Sequence, residues 1–120
     1  MLYSLNEDKI ISYIPHENDF RLWRSRLSDL EYRAIVDELN RRIDGTSIQT
    51  SSWIPGSDWT GTVFEPIYSS ACLNNITDSG LCFRLILWVI MLERPETWAF
   101  GRYEKNGIPI RGLTYFQVKP

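Results

Sequence analysis

A chain of 120 residues that is 43% hydrophobic can bury one core without disulfides or metals but is too short for two. Its formal net charge of −2 argues against neutralising phosphates as its main task, so no nucleic-acid partner is expected. The longest apolar run, Leu85 to Leu92, falls well short of the roughly 20 residues a bilayer requires, so no membrane partner is expected either. No Gly/Ser-rich stretch, Pro-rich stretch or repeat divides the chain, and residues 1–120 read as a single domain. The opening MLYSLNEDK lacks the basic head and apolar run of a secretory signal, and the expected setting is cytoplasmic.

The first predicted element is an edge strand over Lys9–Ile14 (KIISYI), β-branched and aromatic, with Pro15 after it. His16, the one histidine, sits among Glu17 and Asp19 with no nucleophile in a recognisable motif and reads as a surface loop residue. Asn18 or Asp19 can cap a short helix carrying Phe20, Leu22, Trp23 and Leu27. A second helix starts at Ser28, where SDLE forms a capping box with Glu31, and runs to Asp44 ahead of Gly45. Tyr32, Ile35, Val36, Leu39 and Ile43 form its inner face, and Asp37 with Arg41 and Glu38 with Arg42 are i,i+4 pairs. Six arginines between Arg21 and Arg42 are matched by seven acids from Glu17 to Asp44, so this region is not a basic stripe. After Gly45 the segment TSIQTSSW reads as a strand with small polar side chains, one face of which stays open to water or a ligand.

From Ser51 to Tyr68 the sequence SSWIPGSDWTGTVFEPIY has no period, yet it carries Trp53, Trp59, Phe64 and Tyr68. Pro55-Gly56 suits the centre of a type II turn, and Asp58 either folds back as an Asx turn or stands between Trp53 and Trp59 as a ligand acceptor or general base. Glu65 either closes a T-x-x-E capping box with Thr62 or caps a helix that starts at Pro66, its carboxylate aimed into whatever the loop encloses. The aromatic residues either clamp this loop to the core or wall a binding site.

After Asp78, a possible N-cap, LCFRLILWVIML is apolar almost throughout, so periodicity cannot separate helix from strand; its length favours a helix that Pro95 stops. Such a helix must be covered on most sides, by the sheet and by a second subunit if the chain is a homodimer. Arg84 within it must reach solvent or pair with a carboxylate such as Asp58 or Glu65. Cys72 and Cys82 have no companion for a metal-ligand set and read as two reduced, buried thiols. Lys105-Asn106-Gly107 between β-rich runs predicts a hairpin, with Pro109 at an edge or bulge.

The expected fold is therefore α+β, with helices near 19–44 and 66–93 packed on one face of a small antiparallel sheet from about 46–54, 97–104 and 108–118. No P-loop, dinucleotide, nucleophile-elbow, zinc or RNA-recognition motif is present, so no cofactor or metal is expected. The leading expectation is a non-catalytic protein, a homodimer, that binds a small neutral or cationic molecule or a peptide through Trp53, Asp58, Trp59, Glu65, Tyr68 and Arg84. The alternatives are a small hydrolase or isomerase using Asp58 or Glu65 as general base, and an inhibitor- or immunity-like interaction module.

Overall fold

The computed structural model describes residues 1–5, 7–46, 48–50, 59–101, 104–105, 108–109 and 113–118, with 48–50, 104–105 and 108–109 described as backbone only. In chain order the elements are β1 (Leu2–Ser4), β2 (Lys9–Ile11), α1 (Glu17–Ser25), α2 (Asp29–Ile43), β3 (Ile48–Thr50), a π turn (Ile67–Ala71), α3 (Ile76–Glu93), β4 (Thr97–Gly101), β5 (Glu104–Lys105), β6 (Ile108–Pro109) and β7 (Thr114–Val118). The fold is α+β, and the segment that could have been strand or helix is the helix α3.

Five strands form one sheet in the order β2-β1-β4-β7-β3. The expected sheet was antiparallel throughout; β1 instead lies parallel to β4, with Leu2 opposite Trp98 and Ser4 opposite Phe100, so the sheet is mixed. β1 was not foreseen, because three residues are too short to show a period. β2 is the expected edge strand, shortened to Lys9–Ile11. At the C-terminal end β4 and β7 pair antiparallel, and β5 and β6 form a separate antiparallel two-stranded sheet with Lys105 opposite Ile108. Asn106 and Gly107 lie outside the described residues, as do positions 51–54 of the strand expected after Gly45.

Alternation assigns the two faces of the sheet. Leu2, Ile11, Trp98 and Tyr115 share one face and are buried in the core with the helices. The opposite face carries a row across the strands, Ile10–Tyr3–Ala99–Phe116, that reaches the backbone position of Ile48.

α2 follows its sequence closely. The Ser28 hydroxyl accepts the Glu31 N–H at 3.0 Å, Glu31 Oε1 accepts the Ser28 N–H at 2.9 Å, and Gly45 takes the left-handed φ of 80° after the helix. Glu38 binds both arginines of the last turn, Arg42 at 3.5 Å as expected and Arg41 at 2.5 Å in place of the expected Asp37–Arg41 pair. α1 departs from expectation: its N-cap is His16, left-handed at φ 50° and without a side-chain cap bond.

The helix expected over 66–93 is broken in two. Cys72 N–H bonds the Ile67 carbonyl at 3.0 Å, an i to i+5 bond, and Leu73 and Asn74 then take left-handed φ values of 51° and 65°. α3 begins afresh, with Asn75 rather than Asp78 as its cap: Asn75 Oδ1 accepts the Asp78 N–H at 2.9 Å. Leu85, Ile86, Leu87, Trp88, Val89, Ile90 and Met91 are all buried, so α3 is covered around its girth over these two turns. Among the described residues no helix is long and apolar enough to cross a membrane.

Arg94 closes α3 with its guanidinium fork, donating Nη1 to Asn40 Oδ1 and Nη2 to Asp44 Oδ1 at 2.6 Å each, and Nε to Glu96. Burial opposes the charge on both Arg94 and Glu96, but it is outweighed: the bond to Asp44 and then that to Glu96 raise the Arg94 pKa, and the Arg94 bond first, then a backbone N–H and the Trp98 indole, hold the Glu96 carboxyl below its ordinary range. The Glu96 contribution is therefore complete above the unfolded carboxyl pKa of about 4.3 and disappears as pH falls through the lower folded value. Arg94→Ala is expected to lower the unfolding free energy by about 2 kcal/mol at pH 7, with a smaller loss below about pH 4, in urea titrations at the two pH values.

Candidate functional site

Within the described part of the aperiodic block, residues 59–65 form a turn bonded to itself. The Trp59 carbonyl accepts the Thr62 N–H at 3.0 Å and the Thr62 hydroxyl at 2.7 Å. The same hydroxyl accepts the Phe64 N–H at 3.2 Å, and Gly61 takes the left-handed φ of 74° that lets the chain turn so tightly. Neither expected form of the Glu65 cap is present. Glu65 Oε2 reaches back to the Gly61 N–H at 3.2 Å, one residue beyond the Thr62 N–H of a capping box, and so ties the two ends of the turn.

This turn sets Trp59 on two rings. Its centroid lies 6.4 Å from Phe64 and 5.8 Å from Phe83 of α3, and those two rings meet edge to face at 5.9 Å. Phe64 and Phe83 are sealed, at 1% and 2% exposure, whereas Trp59 is half-buried. The Arg42 guanidinium stands 5.3 Å from the Phe64 centroid while also pairing with Glu38. The Arg41 hydrogen bond first, then the charges of Arg41 and Arg42, hold the Glu38 carboxyl below its ordinary range despite the opposing effect of desolvation.

Of the residues expected to form a site, the structure brings Trp59 and Glu65 together on one turn. Tyr68 is half-buried on the π turn, its carbonyl accepting the Asn74 N–H at 2.8 Å, and makes no ring contact with the Trp59 cluster. Arg84 is exposed on α3, resolving its burial cost through solvent and not through a described carboxylate. Trp53 and Asp58 lie outside the described residues.

Two members of the cluster were not singled out from sequence. Arg42 had its charge explained by Glu38 four residues earlier, and Phe83 was one apolar residue among many; neither carries a local signal for the contact it makes. Among the described residues no group of three or more His, Cys, Asp or Glu could hold a metal ion. Chemically, the arrangement offers the half-buried Trp59 ring and the exposed Glu65 on one turn, suited to stacking and polar anchoring, with the Arg42 guanidinium held at the sealed Phe64 ring.

Comparison with protein-family models, with curated proteins and with solved structures finds no match to this chain. The function must therefore be argued from the site itself.

Because one hydroxyl makes two of the turn's side-chain bonds, Thr62→Val is expected to cost about 1 kcal/mol in urea denaturation, with the ring cluster retained.

Proposed function

We propose that this is a non-catalytic binding protein in which Trp59 forms the contact wall for a small neutral or cationic molecule or a peptide. The observation that carries the reading is the contrast between a half-buried Trp59 and the sealed Phe64 and Phe83 beneath it. A large aromatic face that is held rigid before its ligand arrives loses little entropy on binding. Glu65, and Asp58 from the sequence, supply the acidic anchors of this reading.

A hydrolase or isomerase that used Glu65 as its base is less well supported, since that carboxylate is bonded to the Gly61 N–H within its own turn. Glu65→Gln keeps an acceptor there and is expected to change stability by less than about 0.5 kcal/mol and to leave ligand binding measurable. Loss of a turnover on that substitution would return the enzyme reading.

An interaction-module or homodimer reading draws on a different observation. α3 is covered within the chain and gives no motive for a second subunit, whereas Ile10 is half exposed on the outer sheet face beside Tyr3. Two free cysteines support a cytoplasmic setting.

The test is a thermal-shift screen against a broad metabolite panel. A ligand at about one hundred times its dissociation constant adds roughly 2.7 kcal/mol of stability. The expected outcome is a shift in the parent protein that is lost in Trp59→Ala; a shift retained in full by Trp59→Ala would place binding elsewhere, and no shift across the panel would favour a protein partner.

A further inference from the structure

The site described above leaves the outer face of the five-stranded sheet without a role. By register that face carries Ile10 of β2, Tyr3 of β1, Ala99 of β4, Phe116 of β7 and the backbone position of Ile48 in β3. Alternation adds Thr97 and Gly101 on β4, Thr114 and Val118 on β7, and the position of Thr50 on β3. None of these ten positions is charged, in a chain that is 23% charged. A sheet face that meets only water ordinarily carries charged and polar residues, so this composition is that of a face that is covered. The helices' core lies on the other side: none of the side chains described at these positions belongs to it. Ile10 is 51% exposed, and Tyr3, Phe116 and Val118 are partly exposed.

The face also has relief. The outward residues of β4 are small, and the ladder sets Tyr3 beside Ala99 on one flank and Phe116 beside it on the other. A shallow trough therefore follows β4. β1 borders it over three residues, whereas β7 runs beside all five of β4, with Val118 level with Thr97.

We propose that this face binds a second copy of the chain, the two sheets stacking about a two-fold axis that runs parallel to the strands between β4 and β7. The proposal rests on the homodimer reading above and names the face that reading would use. Such an axis lays the β7 row of each copy over the β4 trough of the other, within the small angle of aligned sheet packing. Rotation about a line parallel to the strands keeps each residue's level along them, so ladder partners within a chain become stacking partners between chains. Phe116 of one copy then sits on Ala99 of the other. A two-fold contact sets a patch against itself, so any charge near the axis would meet its own copy, and this face has none.

The size of the face sets the strength of the contact. Five strands spaced by about 4.8 Å and about 10–17 Å long give a flat area of roughly 300 Å² per copy. Counted on both copies this is about half the smallest standard interface, so the dimer belongs to the weak class and forms at roughly 0.1 mM.

The test is sedimentation equilibrium of the full chain from about 10 µM to about 1 mM, where a monomer–dimer equilibrium is expected. At the highest concentration, an isotope-filtered Overhauser experiment on mixed labelled and unlabelled chains is expected to show Phe116 ring protons of one copy against the Ala99 methyl of the other. Val118→Lys is expected to weaken association at least about tenfold, because it places two ammonium groups beside the axis. Leu30→Lys adds the same charge at an 80% exposed position on α2 and is expected to leave association unchanged. A dimer whose intermolecular contacts lie elsewhere, or one weakened by Leu30→Lys and not by Val118→Lys, would overturn this interface while leaving the homodimer reading in place. A monomer at about 1 mM would overturn both and assign the face to a partner of another sequence. The sedimentation and Overhauser readouts use the unmutated chain, so neither depends on a variant folding.

Discussion

A helix of 18 residues that is apolar on nearly every side has to be covered on nearly every side, and the rest of the structure answers that requirement. Each large side chain removed from water contributes about 1.5–3 kcal/mol, so a bare flank of α3 would be costly on the scale of a small domain's stability. The sheet covers it with Leu2, Ile11, Trp98 and Tyr115, α1 with Phe20 and Trp23, and α2 with Ile35, Leu39 and Ile43, all in one core with α3. The remaining cover near Phe83 comes from the irregular segment, through Phe64 and Trp59. The candidate site is thus the outer layer of the core, with its last ring left half in water.

Local chemistry made part of this fold legible. Ser28 and Glu31 announce a helix start whatever surrounds them, Gly45 marks its end, and Pro95 follows the end of α3 because it cannot continue a helix. The parallel β1–β4 pair could not be read in the same way, since it joins a three-residue strand to a partner more than ninety residues away. The break after Cys72 contains neither Gly nor Pro, and the tolerance of Asn74 for a left-handed backbone was its one local sign. Asn75 rather than Asp78 caps α3 because the chain has already turned there, a fact of geometry that two equally good capping residues do not reveal.

The site was legible to a similar degree. Its aromatic character and the presence of Glu65 followed from an absence of period, but the partners of Trp59 did not. Arg42 and Phe83 come from helices whose own sequences already account for them, and only tertiary packing brings them to Phe64. Glu65 shows how narrow the margin is: its reach to Gly61 in place of Thr62 makes it a brace of the turn, with its remaining carboxylate surface turned to solvent. The binding reading proposed above draws on this braced turn and on the packing of Trp59 against two sealed rings.

The proposed binding reading requires Trp59 to be both held in place and accessible in the protein alone. Fluorine NMR of the protein labelled with fluorotryptophan tests it, with the Trp59 resonance assigned by its absence in Trp59→Phe. The account predicts a broad Trp59 line, characteristic of a side chain tumbling with the whole domain, whose position shifts between H₂O and D₂O, while the lines of the buried Trp23, Trp88 and Trp98 hold their positions. A narrow, motionally averaged Trp59 line, or one insensitive to the solvent isotope, would contradict it.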